Sequence, residues 1–211
     1  MPKVVDEQMR LATRRHILRE AAREFARLGF DQTNIHTIAK QAGIGKGTIY
    51  LYFENKHDLF LAMLRTIAQD QLTAIHVALA IHDSLQQRLE CLFLAFAHLA
   101  EQESDSFHVF MSALYGVNRD FKDEATKLLR DYITVIARIL VESQTHGELQ
   151  CSNVEATALM VLSLTESYVL SAKVLGQSEQ EITQQAPHVA QLILHGIGSS
   201  QSFSRTQACF N

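Results

Sequence analysis

Around Gly43 the chain carries a pattern that few folds satisfy. Ile38, Ala42, Ile44 and Ile49 are apolar and flank a tight Gly43-Ile44-Gly45 turn. Gly43 accepts the positive φ that such a turn demands. Ala39 is small where a second helix must cross the first closely. Spacing, turn chemistry and apolar pattern agree on a helix-turn-helix over residues 35–53. Its helices are expected at 35–41 and 46–53. Asn34 is placed to cap the first. Thr37 stands where a Glu would complete a capping box, so that box is incomplete. Asn55 caps a long helix beginning at Lys56, with Asp58 at its third position.

The rest of the chain reads as more helices of the same kind. Residues 13–28 place Ile17, Leu18, Ala21, Ala22, Phe25 and Leu28 on one stripe, and Gly29 ends it. Arg15, Arg19, Arg23 and Arg27 recur on another face, where Glu20 and Glu24 can pair with them. Only the N-terminal end of that arginine stripe is a phosphate-contact candidate. Further on, Leu85, Leu89, Leu92, Phe93 and Phe96 share a face, as do Phe107, Met111, Leu114 and Tyr115. A broad apolar face spans Leu128 to Leu140, and Gly147 is placed to stop it. Ser152–Glu155 predicts a capping box for a helix reaching Leu175, ended by Gly176. Ser178–Glu181 predicts a second, and Pro187 opens a segment over 187–197. The tail, 199–211, is expected to fray. Two prolines and nine glycines in 211 residues leave few breakers, and alternating β-branched runs are hard to find. The fold class expected is all-α.

Several function classes drop away. No apolar stretch approaches the roughly 18 residues of a membrane span, and the N-terminus has no signal-peptide core. Cys91, Cys151 and Cys209 fit neither a disulfide framework nor zinc spacing. A reduced, cytoplasmic protein is expected. The ten histidines form no metal pattern, nothing orders Ser, His and Asp into a triad, and no cofactor or enzyme activity is expected. Gly43–Thr48 looks like part of a phosphate-binding loop. That loop needs a glycine where Lys40 stands, and a preceding strand rather than a helix. Charge is uneven. Residues 1–60 carry ten Lys+Arg against seven Asp+Glu, a balance of +3, and the remainder carries nine against sixteen, a balance of −7. Such asymmetry suggests a nucleic-acid-facing N-terminal part on an acidic body.

The stretch from Thr33 to Phe60, TNIHTIAKQAGIGKGTIYLYFENKHDLF, resembles the signature of the TetR/AcrR family of bacterial regulators nearly throughout. The resemblance is strong over the first third and extends to the rest only in length and helical layout. It implies that residues 46–53 enter the major groove of DNA. Gly45, Lys46, Gly47, Thr48, Tyr50, Leu51 and Tyr52 would then face DNA or lie beside it. Lys56 would meet a phosphate, and Asn34 and His36 would lie near the backbone. Lys and Tyr donors with helix N-terminal amides suit phosphate. Tyr50 and Tyr52 cannot share a face, and spacing from Ile49 and Phe53 favours Tyr50 as the outward one. Gly45 stands where the family usually has serine, and Thr37 where an acid is common. Both leave base contacts unsettled.

The resemblance also implies the domain plan. Residues 1–60 form a three-helix DNA-binding domain, and 61–198 a helical ligand-binding and dimerisation domain. Residues 156–164 are apolar on nearly every side, so this helix should be buried on more than one face. Paired with the last helix across a two-fold, it would give a four-helix homodimer interface. The partners expected are a pseudo-palindromic operator, a second copy and a small-molecule effector. Phe93, Phe96, Phe107, Met111, Tyr115, Tyr132, Glu166 and Tyr168 are candidates for the ligand pocket. Glu166 lies inside a long apolar run, where burial requires a partner. The expected function is a ligand-responsive homodimeric repressor. The alternatives are an activator without an effector, or a dimeric module for protein partners.

Overall fold

The computed structural model describes residues 2–80, 84–115 and 121–198. The expected tail 199–211, with Cys209, lies outside the described residues. Ten helices and no strands occur among the described residues. They are α1 (Pro2–Gln32), α2 (Ile35–Gln41), α3 (Lys46–Ile49), α4 (Lys56–Ala80), α5 (Leu85–Gln102), α6 (Ser104–Tyr115), α7 (Lys122–Thr145), α8 (Val154–Val174), α9 (Glu179–Thr183) and α10 (Ala186–Gly198). They form two compact units. One combines the chain up to Ala74 with His98–Arg130; the other combines Ile75–Ala97 with the chain from Asp131 onward.

In the first unit α1 buries Ile17, Leu18, Ala21, Ala22 and Phe25, the stripe that its helical spacing predicts. Leu28 is the exception and stays about a third exposed, at 37%. The helix starts at Pro2, eleven residues earlier than the apolar periodicity alone suggests. Its regular course breaks at Gly29, whose φ of 73° and ψ of 173° suit glycine alone. Beyond that kink Phe30 joins Phe25, Phe60 and Phe121 in an aromatic cluster. Ring centroids lie 4.4 Å apart for Phe60–Phe121 and 4.7 Å for Phe30–Phe121. His57 stacks on Phe121 at 5.0 Å. Arg65 grips Glu124 with two parallel bonds of 2.7 and 2.8 Å, joining α4 to α7. α6 packs on α1 and buries Phe107, Val109, Phe110 and Met111.

The second unit is built on larger apolar faces. Leu85, Leu89, Leu92, Phe93 and Phe96 of α5 are buried, as are Tyr132, Val135, Ile136, Ile139 and Leu140 of α7. α8 contributes Ala158, Val161, Leu162, Thr165, Glu166, Val169 and Ala172. α10 packs on α8 and buries Ala186, Val189, Ala190 and Ile193. Arg88 and Glu142 meet at 2.7 Å between α5 and α7.

The cap signals of α8 and α9 follow the sequence with one slip. Ser178 and Glu181 form the full reciprocal capping box at α9. The box expected at Ser152–Glu155 does not form. Asn153 is the cap instead, its Oδ1 accepting from the Ala156 N–H at 3.0 Å. Asn and Ser cap about equally well, so the sequence offered two adjacent starts and the chain takes the second. Gly147 and Gly176 close α7 and α8 with positive φ, and the following N–H reaches back to Ser143 O and Ala172 O respectively, each at 3.0 Å.

Candidate nucleic-acid interface

The turn between α2 and α3 is built mainly by the backbone. Gly43 takes φ 65°. Its N–H donates to Lys40 O at 3.2 Å, and the Ile44 N–H donates to Ala39 O at 3.0 Å. These two bonds satisfy carbonyls that the end of a helix leaves orphaned. At the other end of α2, Asn34 Oδ1 accepts from the His36 N–H at 2.9 Å. Ile35, Ile38, Ala39, Ala42 and Ile49 are buried, so one face of both helices sits on the α1 core while the other stays free.

The second helix is shorter than the expected 46–53. Regular α-helix covers only Lys46–Ile49. Tighter turns continue it, with Leu51 N–H donating to Thr48 O and Tyr52 N–H to Ile49 O. The composition explains this. Gly47, two β-branched residues and two tyrosines within seven positions are poor helix formers. Gly45 at the N-cap makes no side-chain cap bond, so this helix starts without one of the usual supports.

His36, Gly45, Lys46, Gly47, Tyr50 and Leu51 are exposed, together with the capping Asn34. Tyr50 is 46% and Leu51 76% accessible, high values for apolar-bodied side chains beside a packed core. Lys46 Nζ lies 6.0 Å from the centroid of the Tyr50 ring, so charge and ring share one patch. Thr48 and Tyr52 are half-buried, and Tyr52 leans on Phe53 at 6.4 Å. Tyr50 is thus the outward member of the tyrosine pair.

Lys56 is engaged within the protein. Its ammonium donates to Phe30 O at 2.8 Å, Asp31 O at 3.1 Å and Thr33 O at 3.1 Å. It also lies 4.5 Å from the centroid of the Phe30 ring. An ammonium has three N–H donors, and all three are taken within the protein. A phosphate would have to displace one of these carbonyls. In this geometry Lys56 clamps the end of α1 to the start of α4. Nothing local signals this role, because the acceptors lie 23 to 26 residues earlier in the chain.

Two further contacts support this surface, of which sequence spacing foresees only the pairing of Glu24 with Arg27. Glu24 is buried on α1, yet it accepts from Arg27 at 2.8 Å and from Gln41 Nε2 at 2.9 Å. The Arg27 bond holds its carboxyl below the usual carboxylate range, against the opposing pull of burial, and Gln41 adds to the lowering. The Gln41 bond ties the end of α2 to α1. Arg14 lies with its guanidinium carbon 5.3 Å from the centroid of the Phe53 ring.

The ligand candidates divide between the units. Phe93, Phe96, Tyr132, Glu166 and Tyr168 belong to the second. There Phe93 faces Tyr168 at 5.4 Å and Phe96 faces Tyr132 at 6.3 Å. Burial pushes the Tyr132 hydroxyl far above its ordinary pKa, and the charge of Glu166 adds to this. Phe107, Met111 and Tyr115 lie on α6 in the first unit. Phe107 and Met111 are buried there, while Tyr115 is 55% accessible. No group of three His, Cys, Asp or Glu suited to a metal ion occurs among the described residues. Among the same residues no helix is long and apolar enough to cross a membrane.

Comparison with known proteins places this geometry. Residues 17–63 match the family model described as bacterial regulatory proteins, tetR family. A fatty acid metabolism regulator protein of Bacillus subtilis is 22% identical over 181 residues, 86% of this chain and 93% of the relative. A probable acrEF/envCD operon repressor of Escherichia coli is 36% identical over 97 residues, 43% of this chain and 42% of that protein. The crystal structure of the transcriptional regulator FadR from Bacillus subtilis, in complex with stearoyl-CoA, superposes with a TM-score of 0.78. It is 22% identical and covers 86% of this chain and 98% of its own. With the exposed helix-turn-helix, these likenesses define a DNA-binding transcriptional regulator. The segment 17–63 is thus a tetR-family segment, and the rest of the chain shares its fold with structures of such regulators.

Proposed function

We propose that the chain is a homodimeric repressor that holds a pseudo-palindromic operator and leaves it when a small molecule binds. The observation that carries this is the patch formed by His36, Lys46, Gly47, Tyr50 and Leu51. It is exposed on a helix-turn-helix whose other face is buried. Lys46 and Tyr50 supply donors to phosphate or base edges, and Gly47 removes the side chain where backbone would approach DNA. Asn34, Gly45, Thr48 and Tyr52 lie beside them. Lys56 acts by positioning α4 against α1. The working division remains 1–60 for DNA and 61–198 for regulation, and the chain acts in the cytoplasm.

Apolar exposure supports the dimer. Leu159, Met160 and Leu164 of α8 and Leu192 of α10 stand in solvent, with Met160 at 63% and Leu192 at 58%. Apolar faces of this kind on two adjoining helices suit pairing with their own copies. For the effector, fatty acyl-CoA thioesters are the class to try first, because the FadR structure that covers 86% of this chain contains stearoyl-CoA. Phe93, Phe96, Tyr132, Glu166 and Tyr168 are the candidates for its lining. Ligand binding there would lower DNA affinity by the coupling free energy between the sites.

The test is selection from a randomised duplex library, followed by binding measurements on the enriched sequence. A palindrome-like consensus, salt-dependent affinity, loss of binding in Tyr50→Ala and release by stearoyl-CoA are expected. A chain that enriches no sequence is not a sequence-specific regulator. A chain that keeps its operator in saturating stearoyl-CoA takes another effector class.

A further inference from the structure

The face of α1 that meets the helix-turn-helix does not end where its apolar residues end. Ile17, Leu18, Ala21 and Phe25 are buried along it. Counting back by three, four or seven residues along the same face reaches Arg14 and then Arg10. The side of the helix that carries the core therefore turns from apolar to cationic, and the helix itself continues without a break to Pro2. Arg14 sits over Phe53, two residues beyond the exposed Tyr50 and Leu51. Arg10 is exposed about 6 Å further out, four residues along at about 1.5 Å each.

Among the described residues four other arginines are held in ion pairs, and Arg15 and Arg19, on another face of α1, are not. Arg23 pairs with Glu20, Arg27 with Glu24, Arg65 with Glu124 and Arg88 with Glu142. Among the described residues no ion pair is formed by Arg10 or Arg14. Arg14 stacks on an aromatic ring, which fixes its direction and leaves its charge uncompensated. Glu7 follows on the same face and limits the cationic run to these two side chains.

We propose that Arg10 and Arg14 form a second DNA contact, an arm made by the N-terminal extension of α1, which grips the phosphate backbone beside the segment 45–52. The arm rests on the DNA-binding reading and adds to it. It supplies affinity without sequence preference, since phosphates are the same at every step.

The experiment uses the full chain and the duplex that the wild type enriches from a randomised library. Arg10→Ala, Arg14→Ala and Arg14→Lys are titrated from about 50 to about 200 mM salt. Each alanine variant is expected to lower the slope of log affinity against log salt by about 1 for each phosphate no longer gripped. Its deficit against wild type then shrinks about fourfold across that range. Arg14→Lys retains most of the slope. Arg10→Ala removes an exposed side chain, so its thermal midpoint stays at the wild-type value and separates a weakened grip from a damaged fold. Selection with Arg10→Ala returns the wild-type consensus. If the alanine variants keep wild-type slope and affinity while Tyr50→Ala loses binding, the arm is overturned and the recognition patch stands. A changed consensus overturns the backbone assignment, and a wild type that enriches nothing overturns both.

Discussion

The helix-turn-helix and the α8–α10 pair are both purely helical, and they are held by different physics. α2 and α3 have seven and four residues, lengths at which isolated helices do not form in water. Their shape comes from Asn34, the two backbone bonds around Gly43 and the clamp of Lys56. α8 has 21 residues and buries seven side chains against its own unit. Its shape comes from burial, and its exposed residues are free to be apolar. A DNA-reading element gains from the first arrangement, because a small exposed patch is presented on an accurately turned backbone. A regulatory element gains from the second, because a large apolar interior can be repacked around a ligand. Backbone changes should therefore damage the first region, and volume changes the second.

The largest effect is expected in the second unit. Phe93 is fully buried and packs on Tyr168. Phe93→Ala should cost about 3–5 kcal/mol, the transfer free energy plus the cavity left behind. Urea denaturation measures it. A cost below about 1 kcal/mol would mean that α5 and α8 do not share a tight interior, and the contrast between the regions would collapse.

Next comes the turn. A Cβ at Gly43 would meet nothing within 4 Å, so the cost of Gly43→Ala is conformational alone. Holding alanine at φ 65° costs about 1–2 kcal/mol. Gly147 offers a control in the same setting, with φ 75° and open space around it. The two alanine variants should lose similar stability by thermal unfolding, and only the one at Gly43 should lose operator affinity. Equal losses of DNA binding would mean that the turn has no privileged role.

Much of this was legible because it is local. Ile38, Ala39, Gly43 and Ile49 lie within twelve residues, so turn chemistry and period are readable together, and Asn34 and Ser178 cap as their positions suggest. The slip from Ser152 to Asn153 shows how little separates adjacent caps. Apolar spacing continues to Phe53 after helix propensity has failed, so the pattern overstates the length of α3. Lys56, Gln41 and Phe121 were opaque for one reason. Their partners come from distant parts of the chain, and no periodicity links Lys56 to Phe30 O or Gln41 to Glu24. Residue type marks the ligand candidates, and type does not reveal that α6 packs on α1 in the other unit.

Glu24 allows the tie between α1 and α2 to be tested by pH. Its carboxyl titrates lower in the folded protein than in the unfolded chain. The stabilisation is therefore complete above the unfolded value of about 4.3. It is lost as pH falls through the folded value. Glu24→Gln should cost about 1 kcal/mol at neutral pH, a modest figure because Arg27 is largely in solvent. It should also remove part of the fall in thermal midpoint below about pH 4. Glu124 and Glu181, also held low, act in the same direction. An acid transition identical to wild type would dismiss Glu24 as a contributor.

The smallest effect separates folding from recognition most cleanly. Gly47 lies in the first turn of α3 with ordinary helical backbone, and a Cβ there would meet nothing within 4 Å. Stability alone would favour Gly47→Ala, which should raise it by up to about 0.5–1 kcal/mol through lower chain entropy and better helix propensity. If DNA approaches the backbone at this point, the same methyl group must weaken operator binding. A variant that is more stable and binds less tightly assigns the glycine to close approach. A variant that is more stable and binds equally well leaves Gly47 with no approach to protect, and places the DNA-facing surface on Lys46, Tyr50 and Leu51.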